Sequence, residues 1–197
     1  MRAFTRNLLF SITLLFSSGL LASPADTVET YHDKLLQAVG GSKDASDQRR
    51  YEQLAPAMDA AFDFEGMIKT AAGRHWSKAA PDTRDALVAA FRRVSIATYA
   101  DQFRDLAGGE FVIEETRDGP RGLKLVESRL KTGKENVTLT YVVRDKNGDW
   151  RIIDVLLKGG ISELALRASE YAGTLEKGGA EALIKALDKQ AARLLEN

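Results

Sequence analysis

The spacing of apolar residues changes twice along this chain, and those changes divide it into helices, then strands, then helices again. Up to about residue 107 the apolar positions recur every three or four residues, as on one face of a helix. Val28, Tyr31, Leu35, Leu36 and Val39 predict a first helix over 26–39, with Asp26 as its cap and Gly40-Gly41 as its stop. A polar turn over 41–47 leads to a short helix over 48–58, which Pro56 bends or ends. Asp63 is placed to cap a third helix through Ala72, stopped by Gly73. Pro81-Asp82 opens the longest helix, with Leu87, Phe91, Val94, Thr98 and Phe103 in one stripe, until Gly108-Gly109 breaks it. Beyond Gly109 the period falls to two, and strands are expected over 111–114, 122–130, 137–144 and 150–157. Asn147-Gly148 is a hairpin signal between the last two of these. After Gly159-Gly160 the helical period returns at Ser162-Glu163, and a last helix follows Gly178-Gly179. This order is that of an α+β fold, with helices packed on one face of a curved four-stranded antiparallel sheet. It is a cone-like shape that leaves an internal apolar cavity.

The first 25 residues stand apart from that plan. Arg2 and Arg6 precede an apolar run over 8–21, and small residues follow through Ala25. This is the layout of a secretory signal peptide, and the run falls short of the roughly twenty residues that span a membrane. Cleavage fits after Ala22 or after Ala25, and the residues do not choose between them. The expected division is a leader over 1–25 and a single domain over 26–197. The chain has no cysteine, which excludes disulfides and a lipid-modified cysteine at the leader's end. With Arg2 and Arg6 removed, 28 basic and 28 acidic residues become 26 and 28, so the net charge goes from 0 to about −2. That balance argues against a nucleic-acid-binding surface.

No phosphate-binding glycine loop, zinc-protease helix motif or nucleophile elbow occurs, so no catalytic residue, metal or cofactor is expected. His32 and His75 lie in different helical segments and read as surface or capping groups. Asp82 with Asp85, and Glu114 with Glu115, read as solvated faces. Asp154 is the exception, an acid inside an apolar strand, where a buried carboxylate must have a partner. It reads as a structural tie between sheet and helix; a small hydrolase or isomerase using Asp154 is the enzymatic alternative. Phe91, Val94, Tyr99, Phe103, Tyr141, Val143, Val155, Leu164 and Tyr171 are the expected lining of the cavity. Arg92, Arg93 and Lys158 are exposed candidates for meeting an acidic partner.

Several strings, in order, carry a family resemblance: Phe62-Asp63-Phe64-Glu65, Gly73-Arg74-His75-Trp76, Phe91-Arg92-Arg93, Thr98-Tyr99-Ala100, Trp150 through Val155, and Gly178-Gly179 before an aliphatic helix. They resemble the MlaC, or toluene-tolerance auxiliary, family of periplasmic lipid-binding proteins over essentially the whole chain after the leader. Ile161-Ser162-Glu163-Leu164 and Ser169-Glu170-Tyr171 look closer to its hopanoid-associated branch, HpnM. The resemblance implies a monomeric, non-enzymatic periplasmic carrier of a hopanoid or phospholipid. Such a carrier passes its lipid between an inner-membrane ABC transporter complex and an outer-membrane complex. A ligand-free adaptor of such a complex is the other reading. Family members often carry an arginine where this chain has Ala168, so no role of that arginine transfers here; Arg167 is one position away.

Overall fold

A computed structural model describes residues 22–40, 46–104, 106, 108–133, 135–158 and 160–196. The leader residues 1–21 and the polar turn at 41–45 lie outside them. The chain forms α1 (Pro24–Val39), α2 (Asp47–Ala61), α3 (Phe64–Ala72), α4 (Arg74–Lys78) and α5 (Pro81–Gln102). The strands β1 (Glu110–Asp118), β2 (Lys124–Lys131), β3 (Asn136–Lys146), β4 (Asp149–Leu157) and β5 (Ile161–Ser162) follow, and then α6 (Glu163–Leu195). The strands pair in sequence order as an open antiparallel meander. The sheet therefore has five strands, not four. The extra one is a two-residue edge strand, too short to leave an alternating pattern in the sequence, that pairs with Leu156 and Leu157.

Local chemistry accounts for the helix boundaries. Ser23, not Asp26, caps α1: the Asp26 amide donates to Ser23 Oγ at 3.1 Å, and the Ser23 amide donates back to Asp26 Oδ2 at 2.8 Å. Pro56 neither ends nor limits α2, which runs on to Ala61. Gly73 takes φ +51° between α3 and α4, as a stop residue at this turn requires. The stretch labelled α6 is two helices joined end to end, and the 22 residues of α5 make it the longest uninterrupted helix, as its sequence pattern predicts. The kink in α6 is at Gly179, whose φ +66° and ψ −160° interrupt it where the Gly178-Gly179 pair predicts a break. Asn147 and Gly148, both at positive φ, make the expected hairpin turn.

Helices cover one face of the sheet. On that face lie Val126 and Leu130 of β2, Leu139, Tyr141 and Val143 of β3, and Ile152 and Val155 of β4, all buried. A bulge opposite Val142/Val143 adds a residue to β4, so Ile152 and Val155 both reach the core although they are three apart. Helix α5 is buried on several sides, with Ala90, Phe91, Val94, Ile96, Ala97 and Ala100 inside. Asp63 ties the helical layer to the sheet. Its amide donates to the Ile152 carbonyl at 2.9 Å. Its carboxylate receives the Gly66 amide at 3.2 Å, Lys146 Nζ at 3.2 Å and the Arg144 guanidinium. Burial pushes the Asp63 pKa up, but the Gly66 amide, Lys146 and Arg144 outweigh it and hold the carboxyl below its usual value.

Candidate functional site: a cleft beneath the start of the last helix

Between the sheet and the helices, α5 and the first turns of α6 diverge from β3 and β4 and leave a cleft of about 330 Å³. Leu139, Tyr141, Val155 and Leu157 form its sheet wall, Tyr99 and Phe103 come from α5, and Leu166 and Arg167 come from α6. Period two puts the sheet residues on one face. The spacing of Tyr99 and Phe103 sets them one turn apart on α5, with ring centroids 5.6 Å apart. The rim is polar, with Gln102, Glu163, Glu170 and Gln190. Leu166, 49% exposed, lines this cleft, and Ile161, 50% exposed, precedes α6 in β5; among the described residues these are the large apolar side chains most open to solvent.

The residues expected to line a cavity separate into three groups. Tyr99, Phe103, Tyr141 and Val155 face the cleft. Leu164 lines, with Tyr99, a void of about 10 Å³ deeper between the helices. Phe91, Val94, Val143 and Tyr171 are buried among core side chains and line neither space. The space between sheet and helices at this place is an open cleft with a small void behind it. Sequence reasoning missed Leu139, Leu157 and Leu166 in the cleft. Leu139 and Leu157 share the parity of Tyr141 and Val155 and were legible from alternation. Leu166 was not, because its helix face is set only by how α6 docks. A second groove, about 530 Å³, runs between α1, α2 and the start of β4, with Tyr31, Pro56 and Trp150 along it. It was not foreseen either.

A charged pair stands where cleft and void meet. Arg167 Nη2 donates to Glu163 Oε1 at 2.8 Å, one helical turn apart, and Tyr99 Oη donates to Glu163 Oε2 at 3.1 Å. Burial opposes the charge on Arg167, but Glu163 outweighs it and raises the guanidinium pKa above its ordinary value. Behind this group lies an aromatic cluster. Tyr31 packs edge-on to Phe62, with centroids 5.1 Å apart, and to Tyr99 and Tyr141. Burial pushes all three tyrosine hydroxyls well above their ordinary pKa, so they stay protonated. His32 is a core residue, not a surface or capping group: its ring stacks on Phe111 at 4.0 Å and Nε2 bonds the Tyr141 hydroxyl at 2.9 Å. Burial lowers its pKa to about 3, so the imidazole is neutral.

Asp154 does have its partners. It pairs in the ladder with Val142, on the sheet face away from the helices, and is only part-buried. Its Oδ2 accepts from Ser162 Oγ at 2.5 Å, and its Oδ1 accepts from the amides of Leu164 at 3.0 Å and Val155 at 2.8 Å. Both oxygens are thus spent fixing the start of α6, the tie between sheet and helix that its position suggests. Arg92 and Arg93 are part-exposed and each is ion-paired within the chain. Arg92 grips Asp59 through both carboxylate oxygens, at 2.5 and 2.6 Å, and Arg93 reaches Asp188 at 2.6 Å. Lys158 is exposed at a positive φ after β4. Among the described residues no group of acids and histidines could hold a metal, and no helix is long and apolar enough to cross a membrane.

Fold and cleft together define an α+β protein whose open meander sheet is roofed by helices on one side. The MlaC protein family model matches residues 29–189, and the chain belongs to that family. The fold is also that of a phospholipid-binding protein from Ralstonia solanacearum, solved in complex with a phospholipid. The two superpose with a TM-score of 0.75 at 24% identity, over 85% of this chain and 96% of that one. A search of curated proteins gives no match.

Proposed function

We propose that this protein is an exported, soluble carrier that sequesters a single lipid, a phospholipid or a hopanoid, and passes it between membrane complexes across the periplasm. The observation that carries this reading is the cleft between sheet and helices, aliphatic and aromatic on its sheet wall and polar at its rim, in a family member whose fold neighbour from Ralstonia solanacearum was solved with a phospholipid. Each buried methylene contributes about 0.8 kcal/mol, so a chain of about sixteen carbons would cost roughly 12 kcal/mol to leave in water. At about 330 Å³ the cleft sits at the low end of small-ligand sites. Loading therefore requires α6 to move away from the sheet, and unloading requires a partner that favours that open state. The exposed Leu166 and Ile161 at the start of α6 are suited to touch that partner or a membrane surface.

Binding and transfer need no covalent step, and the two oxygens of Asp154 are committed to Ser162, Leu164 and Val155, which favours a carrier over an enzyme. Export agrees with the leader, and the cap of α1 supports the first of the two cleavage positions. Cleavage after Ala22 leaves Ser23 as the first residue with its capping box intact, whereas cleavage after Ala25 removes the cap and the first turn. Native mass spectrometry of protein purified from the periplasm tests the proposal. Bound lipid, extractable and identifiable as phospholipid or hopanoid, is the expected result. Empty protein under conditions that preserve a control lipid carrier's complex would overturn it.

A further inference from the structure

The chain has three methionines, Met1 in the leader and Met58 and Met67 in the folded part, and both of the latter face the same void of about 10 Å³. Phe62, Phe64 and Leu164 complete its apolar walls. Ser95 lines it too; this side chain is 4% exposed, and its Oγ has no hydrogen-bond partner. A space of that size holds at most about one water. Yet its walls are the side chains best able to give way, since methionine is unbranched and turns about three bonds. The side of the void nearest the cleft is shared. Tyr99, Glu163 and Arg167 line both spaces, so one layer of side chains divides the outer cleft from the inner void. Within that layer Glu163 and Arg167 belong to the same helix, and the bond from α5 is the single hydrogen bond from Tyr99.

We infer that the void is the collapsed inner end of the lipid site. One acyl chain enters through the cleft, passes the Tyr99–Glu163–Arg167 partition, and lays its methyl-terminal part between Met58 and Met67. The inference rests on the lipid reading above and adds to it a chain-length ruler. Opening the partition breaks the Tyr99–Glu163 bond and leaves the Glu163–Arg167 pair intact, so no charge is stranded without its partner. Each methylene excluded from the inner end lowers affinity about fourfold.

Two measurements test this. Because both internal methionines face the void, protein made with photomethionine carries its photoreactive groups there and nowhere else in the folded chain. After loading from vesicles of long-chain phosphatidylethanolamine and illumination, cross-links mapped to the methyl-terminal part of an acyl chain are expected. Cross-links confined to the glycerol or head group, or bound lipid with no cross-link, would overturn the inference. Met67→Trp, which fills the void, should shift the lipid taken from mixed short- and long-chain vesicles towards short chains by tenfold or more. A folded variant with an unchanged chain-length profile would overturn it as well; if the substitution prevents folding, the cross-linking result decides alone. Wild-type protein that takes up no lipid at all is a different failure, since it removes the lipid reading itself.

Discussion

At the scale of single residues, Asp63 and His32 are buried polar groups committed to specific partners, and each commitment predicts a cost. Asp63 both caps α3 and holds Arg144 and Lys146 of β3. Asp63→Ala therefore removes a cap and frees two cations at once, and should lower the unfolding free energy by about 1–3 kcal/mol in urea titrations. Gly66→Ala should imitate part of that loss, because a Cβ there would lie 2.5 Å from the Asp63 carboxylate and 2.7 Å from Arg144. His32 predicts a pH dependence. Its folded pKa of about 3 lies below the unfolded value of 6.5, so only the unfolded chain takes up a proton between them. Its contribution is complete above pH 6.5 and is lost as the pH falls below it, by about 2 kcal/mol at pH 5. Thermal melts at pH 7.5 and pH 5 should show a smaller drop for His32→Gln, which has no titrating ring, than for the wild type. The sequence marked Asp63 by its place before an apolar helix. It did not mark His32, because nothing local says that Phe111 and Tyr141, far along the chain, will close over it.

At the scale of elements, the ends and breaks carry the information. Gly179 occupies a backbone region essentially closed to other residues, so Gly179→Ala should cost about 1–3 kcal/mol, read as a lower urea midpoint. The start of α6 is fixed from outside the helix by Asp154 and from within by Ser162, whose Oγ also accepts the Ala165 amide at 2.9 Å. Asp154→Ala should then loosen this end first, with faster amide hydrogen exchange over the first turns of α6 than elsewhere. Turn glycines, the hairpin and the cap at Asp63 were legible because each is written in two or three adjacent residues. The cap at Ser23 was misplaced by three residues, because Asp26 also belongs to the capping box and is the more obvious acid. The edge strand β5 was missed because its two residues pair only once β4 is in place.

For the whole molecule, the relation of α6 to the sheet is what matters. Leu157→Trp narrows the cleft from its sheet wall, at a part-buried residue that packs on the edge of the core, not inside it. It should reduce the lipid recovered with the purified protein several-fold while leaving the melting temperature near that of the wild type. Val143 would be the wrong place for such a change, because it is fully buried and lines neither the cleft nor the void. If the leader is removed as the α1 cap favours, the mature chain begins at Ser23, and its intact mass will show that. A mass beginning at Asp26 would mean that the capping box is dispensable.

What the sequence determined by itself is the main order of helices and strands, the alternation that puts Leu139, Tyr141 and Val143 on one face of β3, and family membership through strings spread along the chain. Those properties reside in residue spacing and in short motifs, which act before the chain is packed. Only the tertiary structure decided which inward-facing residues border open space and which are sealed in the core. Tyr141 and Val143 have the same parity on the same strand, yet one lines the cleft and the other does not. The difference is set by where α5 and α6 diverge from the sheet, and that divergence depends on the Asp154 tie and the Tyr99–Glu163 bond, contacts between residues far apart in sequence.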